Sequence, residues 1–411
     1  MVRRVGGILA VGIGTLFACQ SIAGFDDKEL DPKYRADARL DAAADVTIAD
    51  AVWESAAPAS GWDPRPPGRP AGAAVASGTG ARRFFAAKHV YFGTVDPTTG
   101  SEDADAWKRI GHTIDNEVTT AAILQSKSSQ VCDKRPSGSA DLLVDGDDGR
   151  DNVAGHLFSY GASTLSFKFE LDINKDMEAG KRPTYLLMLE DLDPGRDDPF
   201  VPGAIFITVK RDLTVEPLPK WDGSDQFWVD ANTVLPTDGG ILDAGTADAS
   251  AVEAGEAGQA FDLVPRFHFP AGYVKDNVWV SGDFGSSPMT LPLYAFDPVN
   301  LIDAETVSLV AELTPTHDKV VRSTMSAVIS ATNVTNQFKP VAAKLVDCNP
   351  ALTTVLLGFL GNSMDLAIAP PAFSQPSTEC GAASMGFSFA WEPVVAPAGA
   401  KVVTPDPPCA L

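Results

Sequence analysis

Basic residues are scarce in this chain: 32 Lys and Arg stand against 54 Asp and Glu in 411 residues, a formal net charge of −22. That imbalance excludes nucleic acid as a partner, because its phosphates would be repelled rather than neutralised. Histidine is scarcer still. His89, His112, His156, His268 and His317 stand far apart, with no His-x-x-x-His and no His-Glu-x-x-His. Hydrolytic zinc therefore has no motif, and each histidine reads as a hydrogen-bonded strand or loop residue. Neither a Gly-x-Ser-x-Gly elbow nor a Ser-x-x-Lys pair in a credible setting supplies a nucleophile. Cysteine is limited to 5 residues with no Cys-x-x-Cys, which disfavours a zinc knuckle. No apolar run is long enough to cross a bilayer as a permanent helix; Val5 to Ala18 comes nearest and is too short.

What is present begins with that run. Arg3 and Arg4 precede it, and Leu16-Phe17-Ala18-Cys19 closes it in the manner of a lipobox, although Phe17 replaces the usual small or branched residue. Residues 1–19 thus read as a lipoprotein signal peptide ending at lipidated Cys19, with ordinary cleavage or a retained signal anchor as the competing reading. The membrane partner is reached through a lipid anchor, and the expected location is the cell envelope, as an outer-membrane lipoprotein facing the periplasm or the surface. Residues 20–82 are rich in Ala, Asp, Gly and Pro, including Asp63-Pro64-Arg65-Pro66-Pro67-Gly68-Arg69-Pro70. Such composition buries too little apolar surface to offset chain entropy, so it predicts a disordered tether.

From residue 83 to 411 the text changes to short apolar segments broken by Asp, Gly and Pro. Phe84 to Phe92 reads as a mostly buried strand, and Met385, Phe387, Phe389 and Trp391 share one face of another. Further strands are expected at Tyr185–Leu189, Ala204–Lys210, Asp262–Phe269, Val278–Ser281, Thr290–Ala295, Val307–Leu313 and Met325–Thr332. The cleanest two-residue alternation is Leu165 to Asp172, where Leu165, Phe167, Phe169 and Leu171 face one way and Ser166, Lys168, Glu170 and Asp172 the other. This pattern predicts an all-β fold, a single antiparallel β-sandwich of jelly-roll-like topology. Residues 237–259 are of low complexity and are expected to be a mobile loop. A short helical appendage is expected near residues 339–362, with Asn349-Pro350 as cap and first turn and Gly361-Asn362 as stop.

Three groups could carry chemistry. Asp145, Asp147, Asp148, Asp151 and Asn152 crowd the stretch Asp145-Gly146-Asp147-Asp148-Gly149-Arg150-Asp151-Asn152, and hard oxygen donors at such spacing suit calcium. The spacing is not that of an EF-hand, and a solvated acidic turn on the surface is the competing reading. A second acidic loop, Glu190 to Pro199, reads as a turn that Arg196 neutralises from within. Trp221, Asp225 and Trp228 have the inventory of a sugar-binding platform, and buried strand tryptophans fit the same text. Cys132, Cys348, Cys380 and Cys409 predict two disulfides, with Cys348–Cys380 favoured and Cys132–Cys409 left to clamp the ends. A glycosidase-type carboxylate pair is compatible with so acidic a chain but has no discriminating signal.

Cys19-Gln20-Ser21-Ile22-Ala23-Gly24, Trp107-Lys108-Arg109-Ile110-Gly111, Val144 to Asn152, Asp197-Asp198-Pro199, Gly272-Tyr273-Val274 and Asp406-Pro407-Pro408-Cys409 together resemble a family of uncharacterised myxobacterial-type surface lipoproteins. Arg150 departs from that resemblance where an apolar residue is expected, and Ala154 where an aromatic one is. The resemblance implies a β-rich surface lipoprotein and no particular activity. The function expected from the sequence is a non-catalytic binding or structural module of the envelope, stabilised by calcium if the acidic loop takes the ion, with an envelope glycan or a protein as partner. The alternative is a carboxylate-dependent glycan hydrolase, which needs two carboxyls about 5–9.5 Å apart in an aromatic-lined cleft.

Overall fold

In the computed structural model the described residues are 65–72, 77–115, 118–122, 143–165, 168–235, 252–253, 263–282, 289–293, 300–345, 348–366, 380–403 and 409. The chain divides into two compact units, Met1–Gly61 and Trp62–Leu411. Cys19, Cys132 and nearly all of the low-complexity stretch 237–259 lie outside the described residues.

The body is all-β in architecture, built on one antiparallel sheet of nine strands. These are β1 (Ala81–Tyr91), β2 (Tyr185–Leu192), β3 (Gly203–Ile207), β8 (Phe267–Phe269), β9 (Tyr273–Lys275), β10 (Val278–Val280), β13 (Thr306–Leu313), β14 (Val320–Ser330) and β15 (Ala382–Val394). Their order across the sheet is β8-β3-β2-β1-β15-β14-β13-β10-β9. Phe269, Ile205, Leu187, Phe85, Phe387, Met325, Leu309, Trp279 and Val274 supply one buried side chain from each strand to a single cluster. Nine strands can meet in one core only if their sheet curls, and it curls into a half-barrel. Inside, Phe389 packs on Trp391 with ring centroids 4.9 Å apart and on Tyr185 at 5.3 Å, while Phe92 meets Phe387 at 5.5 Å. Such rings bury the most area per residue and prefer these tilted and edge-on geometries.

The other face is also covered. Phe84 and Ala86 of β1, Leu186 and Met188 of β2, and Ala204 and Phe206 of β3 form a second core with Phe227, Val229 and Ala400. The last two belong to a small sheet of β4 (Trp228–Asp230), β16 (Gly399–Lys401) and β6 (Val252–Glu253), which gives the molecule a sandwich-like layer. Burial on both faces explains why β1 to β3 read as continuous apolar runs rather than alternating ones. The β6 segment pairs with β16 inside the stretch expected to be a featureless loop. Two strand pairs complete the set, β5 (Val234–Leu235) with β7 (Val264–Pro265), and β11 (Met289–Leu293) with β12 (Asn300–Ala304).

The two ends of the strand order, β8 and β9, are joined by residues 270–272 alone, so the curled sheet meets itself at a seam. The chain leading into β3 bridges it: Gly203 pairs with Phe269, Val201 N donates to Gly272 O at 2.8 Å, and Val274 N donates to Asp198 O at 2.7 Å. The backbones approach so closely that a Cβ on Gly272 would lie 2.2 Å from Val201 O, and one on Gly203 would lie 2.4 Å from Trp279 Cζ2. Only glycine fits either position. The Trp279 indole N–H donates to Val201 O at 2.9 Å and locks the join.

Helices occupy the ends. The expected appendage forms as α4 (Lys339–Leu345) and α5 (Pro350–Asn362), preceded by α3 (Ala331–Gln337). Among the described residues no helix is long and apolar enough to cross a membrane. The strand expected over Leu165–Asp172 is instead the end of α1 (Val153–Leu165) and the start of α2 (Phe169–Glu178). The buried residues of α2 are Glu170, Ile173, Asn174 and Met177, which is the helical 3-4-7 spacing with two of its four members polar. Glu170 accepts hydrogen bonds from Thr94 N and Oγ1, and Asn174 Oδ1 accepts one from Val90 N at 2.8 Å. A hydrophobicity pattern misses a face fastened by polar bonds.

Cys348 pairs with Cys409, with Cα atoms 5.3 Å apart, which replaces both expected pairings. Cys380 is disulfide-bonded as well. The observed bridge ties the turn between α4 and α5 to the chain's C-terminal end, because Cys348, at φ 59, turns its side chain out of the helical run.

Candidate functional site: a buried carboxylate cluster

The face of β14 and β15 that points away from the aromatic interior carries small and hydroxyl residues, with Ser326 opposite Gly386 and Val328 opposite Ser384. A segment entering through the 3-10 turn Ala106–Arg109 crosses this face. Gly111 N donates to Thr324 Oγ1 at 2.9 Å and His112 N to Ser326 Oγ at 2.8 Å. Asn152 sits at the start of α1, where its Oδ1 accepts from Gly155 N at 2.9 Å and from Gly386 N at 2.8 Å, and its Nδ2 donates to Trp107 O at 3.3 Å. The buried Arg150 donates through Nη1 to Gly111 O at 2.9 Å. Ile114, Val328, Leu366 and Ala382 close the end in a small apolar cluster.

Four carboxylates gather around this frame. Asp151 Oδ2 accepts from Ile114 N at 2.5 Å, and Asp145 Oδ2 from Thr119 N at 2.5 Å. Asp365 accepts from Ser384 N at 2.8 Å and from Ser384 Oγ, whose oxygen in turn accepts from Val153 N at 2.9 Å. Asp115 is buried beside them. Burial raises the Asp151 carboxyl well above the usual range, and repulsion from Asp115, Asp145 and Asp365 adds to it. Burial likewise raises Asp145, against the Thr119 amide that favours its charged form, with Asp115 and Asp365 pushing it further. Asp365 is pushed up by burial to about 7 despite its bonds to Ser384. Like charges enclosed together cannot all ionise, so at neutral pH the group shares protons or draws a cation.

The loop expected to hold calcium is therefore divided. Asp147 and Asp148 project into solvent from a 3-10 turn in which Asp148 has φ 58, Asp145 is half-buried, and Asp151 and Asn152 are interior. This corrects the expectation of a surface loop: Asp151 and Asn152 are drawn inward because they satisfy backbone amides of the crossing segment and of β15. Among the described residues no group of three or more His, Cys, Asp or Glu is disposed to hold a metal ion. Asp115 and Asp365 escaped the sequence reading; Asp365 has one visible signal, a lone acid between apolar neighbours in Met364-Asp365-Leu366, and Asp115, in Ile114-Asp115-Asn116-Glu117, has none.

The second acidic loop lies at the opposite end of the sheet, where Leu192 pairs with Ala81, about as far along β1 and β15 as the register allows from Ser384. Arg196 bonds Asp276 at 3.0 Å and Asp197 bonds Lys275 at 2.7 Å, so this loop is latched to the β9–β10 turn and not neutralised from within. At the expected sugar platform, the buried Asp225 accepts from Arg211 Nη2 at 3.0 Å and Trp221 N at 2.5 Å, besides Lys220 N. Trp221 donates its indole N–H to Glu178 O at 2.9 Å, and Lys401 Nζ lies 4.2 Å from the Trp228 ring centroid. These three residues share one region, where Asp225 serves to hold the loop.

Glu170 is a further enclosed acid. Burial pushes it to about 7, outweighing its bonds to Thr94. His156 stacks on Trp107 with ring centroids 3.9 Å apart. Compared with family models, with curated proteins and with solved structures, the chain matches none.

Proposed function

We propose that the chain is a lipid-anchored envelope protein, of the surface-lipoprotein kind it resembles, whose body serves as a non-catalytic binding or structural module for an envelope glycan or protein. The observation that carries this reading is the enclosure of the acidic groups. Asp115 and Asp151 of the cluster are buried and Asp145 and Asp365 half-buried, and burial raises the carboxyls of Asp145, Asp151 and Asp365. Their bonds run to backbone amides and a serine hydroxyl, which is the pattern of groups that hold a fold together. Within the proposal, protons or a hard divalent cation such as calcium relieve their mutual repulsion.

The anchor is supported by the lipobox at Cys19. Detergent-phase partitioning of the expressed chain tests it. Wild type is expected in the detergent phase and Cys19→Ala in the aqueous phase. Equal partitioning of both into detergent would overturn the lipoprotein reading.

A further inference from the structure

The stretch expected to be the end of a loose tether lies along the seam. Pro66, Pro67 and Pro70 preset an extended backbone. Tyr273 Oη donates to Pro67 O at 2.6 Å. Arg69 is the centre of the contact. Its Nη1 donates to Pro199 O at 2.8 Å and its Nη2 to Ala271 O at 2.6 Å, while the guanidinium lies 4.6 Å from the Tyr273 ring centroid. Pro199 belongs to the chain leading into β3, and Ala271 to the link between β8 and β9. The two prongs of Arg69 therefore tie the bridging chain to the link at the seam.

Downstream the segment is tied again. Gly78 N and Gly80 N donate to the Asp191 carboxylate at 3.0 and 2.8 Å, and Ser77 Oγ donates at 2.9 Å, just before β1 begins. Pro70 is buried between these two sets of bonds.

We propose that the seam is a recognition site for an extended, proline-flanked arginine, and that residues 65–70 of the chain occupy it in cis and hold the curled sheet shut there. A planar fork is required, since two carbonyls and a ring face must be met together; a lysine offers a point charge and meets one. The tyrosine contributes its ring as a cation–π face and its hydroxyl as a donor. Because the site reads backbone carbonyls, it takes arginine-proline text and is indifferent to the side chains outside it.

Hydrogen exchange on the full chain tests the latch at the Val201 and Val274 amides, which bond across the seam to Gly272 O and Asp198 O. Arg69→Ala is expected to speed exchange at these two amides about tenfold, with the β14–β15 amides unchanged. Arg69→Lys should do nearly the same, and Tyr273→Phe, which keeps the ring and loses the bond to Pro67, should give a smaller increase at the same places. Exchange in Arg69→Ala within about twofold of wild type would overturn the proposal. So would an equal increase over the whole sheet, because the arginine would then serve general stability and not the seam.

Discussion

Glu170 is 0 % exposed and its carboxyl is raised from 4.5 to about 7, and Asp365 is raised from 3.8 to about 7. A raised acid binds its proton in the folded chain at pH values where the unfolded chain has released it. Stability is then full below the unfolded value and falls as pH rises through the folded one. For Glu170 the loss across that window is up to roughly 3 kcal/mol. The melting temperature is expected to be higher at pH 5 than at pH 8 in the presence of chelator, the reverse of what salt-bridged carboxylates give. Glu170→Gln and Asp365→Asn should each flatten the slope. A chain that melts at the same or a higher temperature at pH 8 would contradict the enclosed-acid account. Repeating the pH 8 scan in excess calcium separates the two ways of relieving the cluster: a rise that Asp145→Asn removes assigns the role to the ion, and no rise assigns it to protons.

At the scale of elements, one polar side chain joins three pieces. Asn152 starts α1, accepts from β15 through Gly386, and donates to the turn at Trp107. Asn152→Ala would leave the buried Gly386 amide without this acceptor, at a cost of about 1–3 kcal/mol beyond the lost cap on Gly155 N. Urea unfolding should show the midpoint falling with an unchanged slope, and Asn152→Asp, which keeps the acceptor, should lose less. The same residue shows where sequence is readable. Strands β1, β2, β3, β13 and β15 were legible because burial on both faces, or on one regular face, writes itself as apolar text. Helix α2 was not, since Glu170 and Asn174 hold its inner face by hydrogen bonds and the flanking Phe169 and Leu171 imitate a strand. The acidic site was legible in part. Asp145, Asp151 and Asn152 stood out by crowding, while Asp115 and Asp365 arrive from distant loops that only the folded register brings together.

For the whole molecule, the Cys348–Cys409 bridge, 61 residues apart in sequence, fastens the helical end to the C-terminal segment. Its partner choice was closed to sequence reasoning because loop entropy grows only with the logarithm of length, so alternative pairings differ little in free energy. Cys348→Ala with Cys409→Ala should cost about 4 kcal/mol on the loop-entropy model. Calorimetry of the double variant checks it, and a melting temperature unchanged from wild type would refute the contribution.

The seam has a further consequence for a protein that would be held at high local density on a membrane. A curved sheet with two bare outer strands offers each neighbour a row of unsatisfied amides and carbonyls on which to grow. Here the chain before β3 takes the outer side of β9 through the paired Asp198 and Val274, so the row on that strand that would recruit a neighbour is spent on the molecule itself. Crowded copies can then pack side by side without knitting into a common sheet through β9.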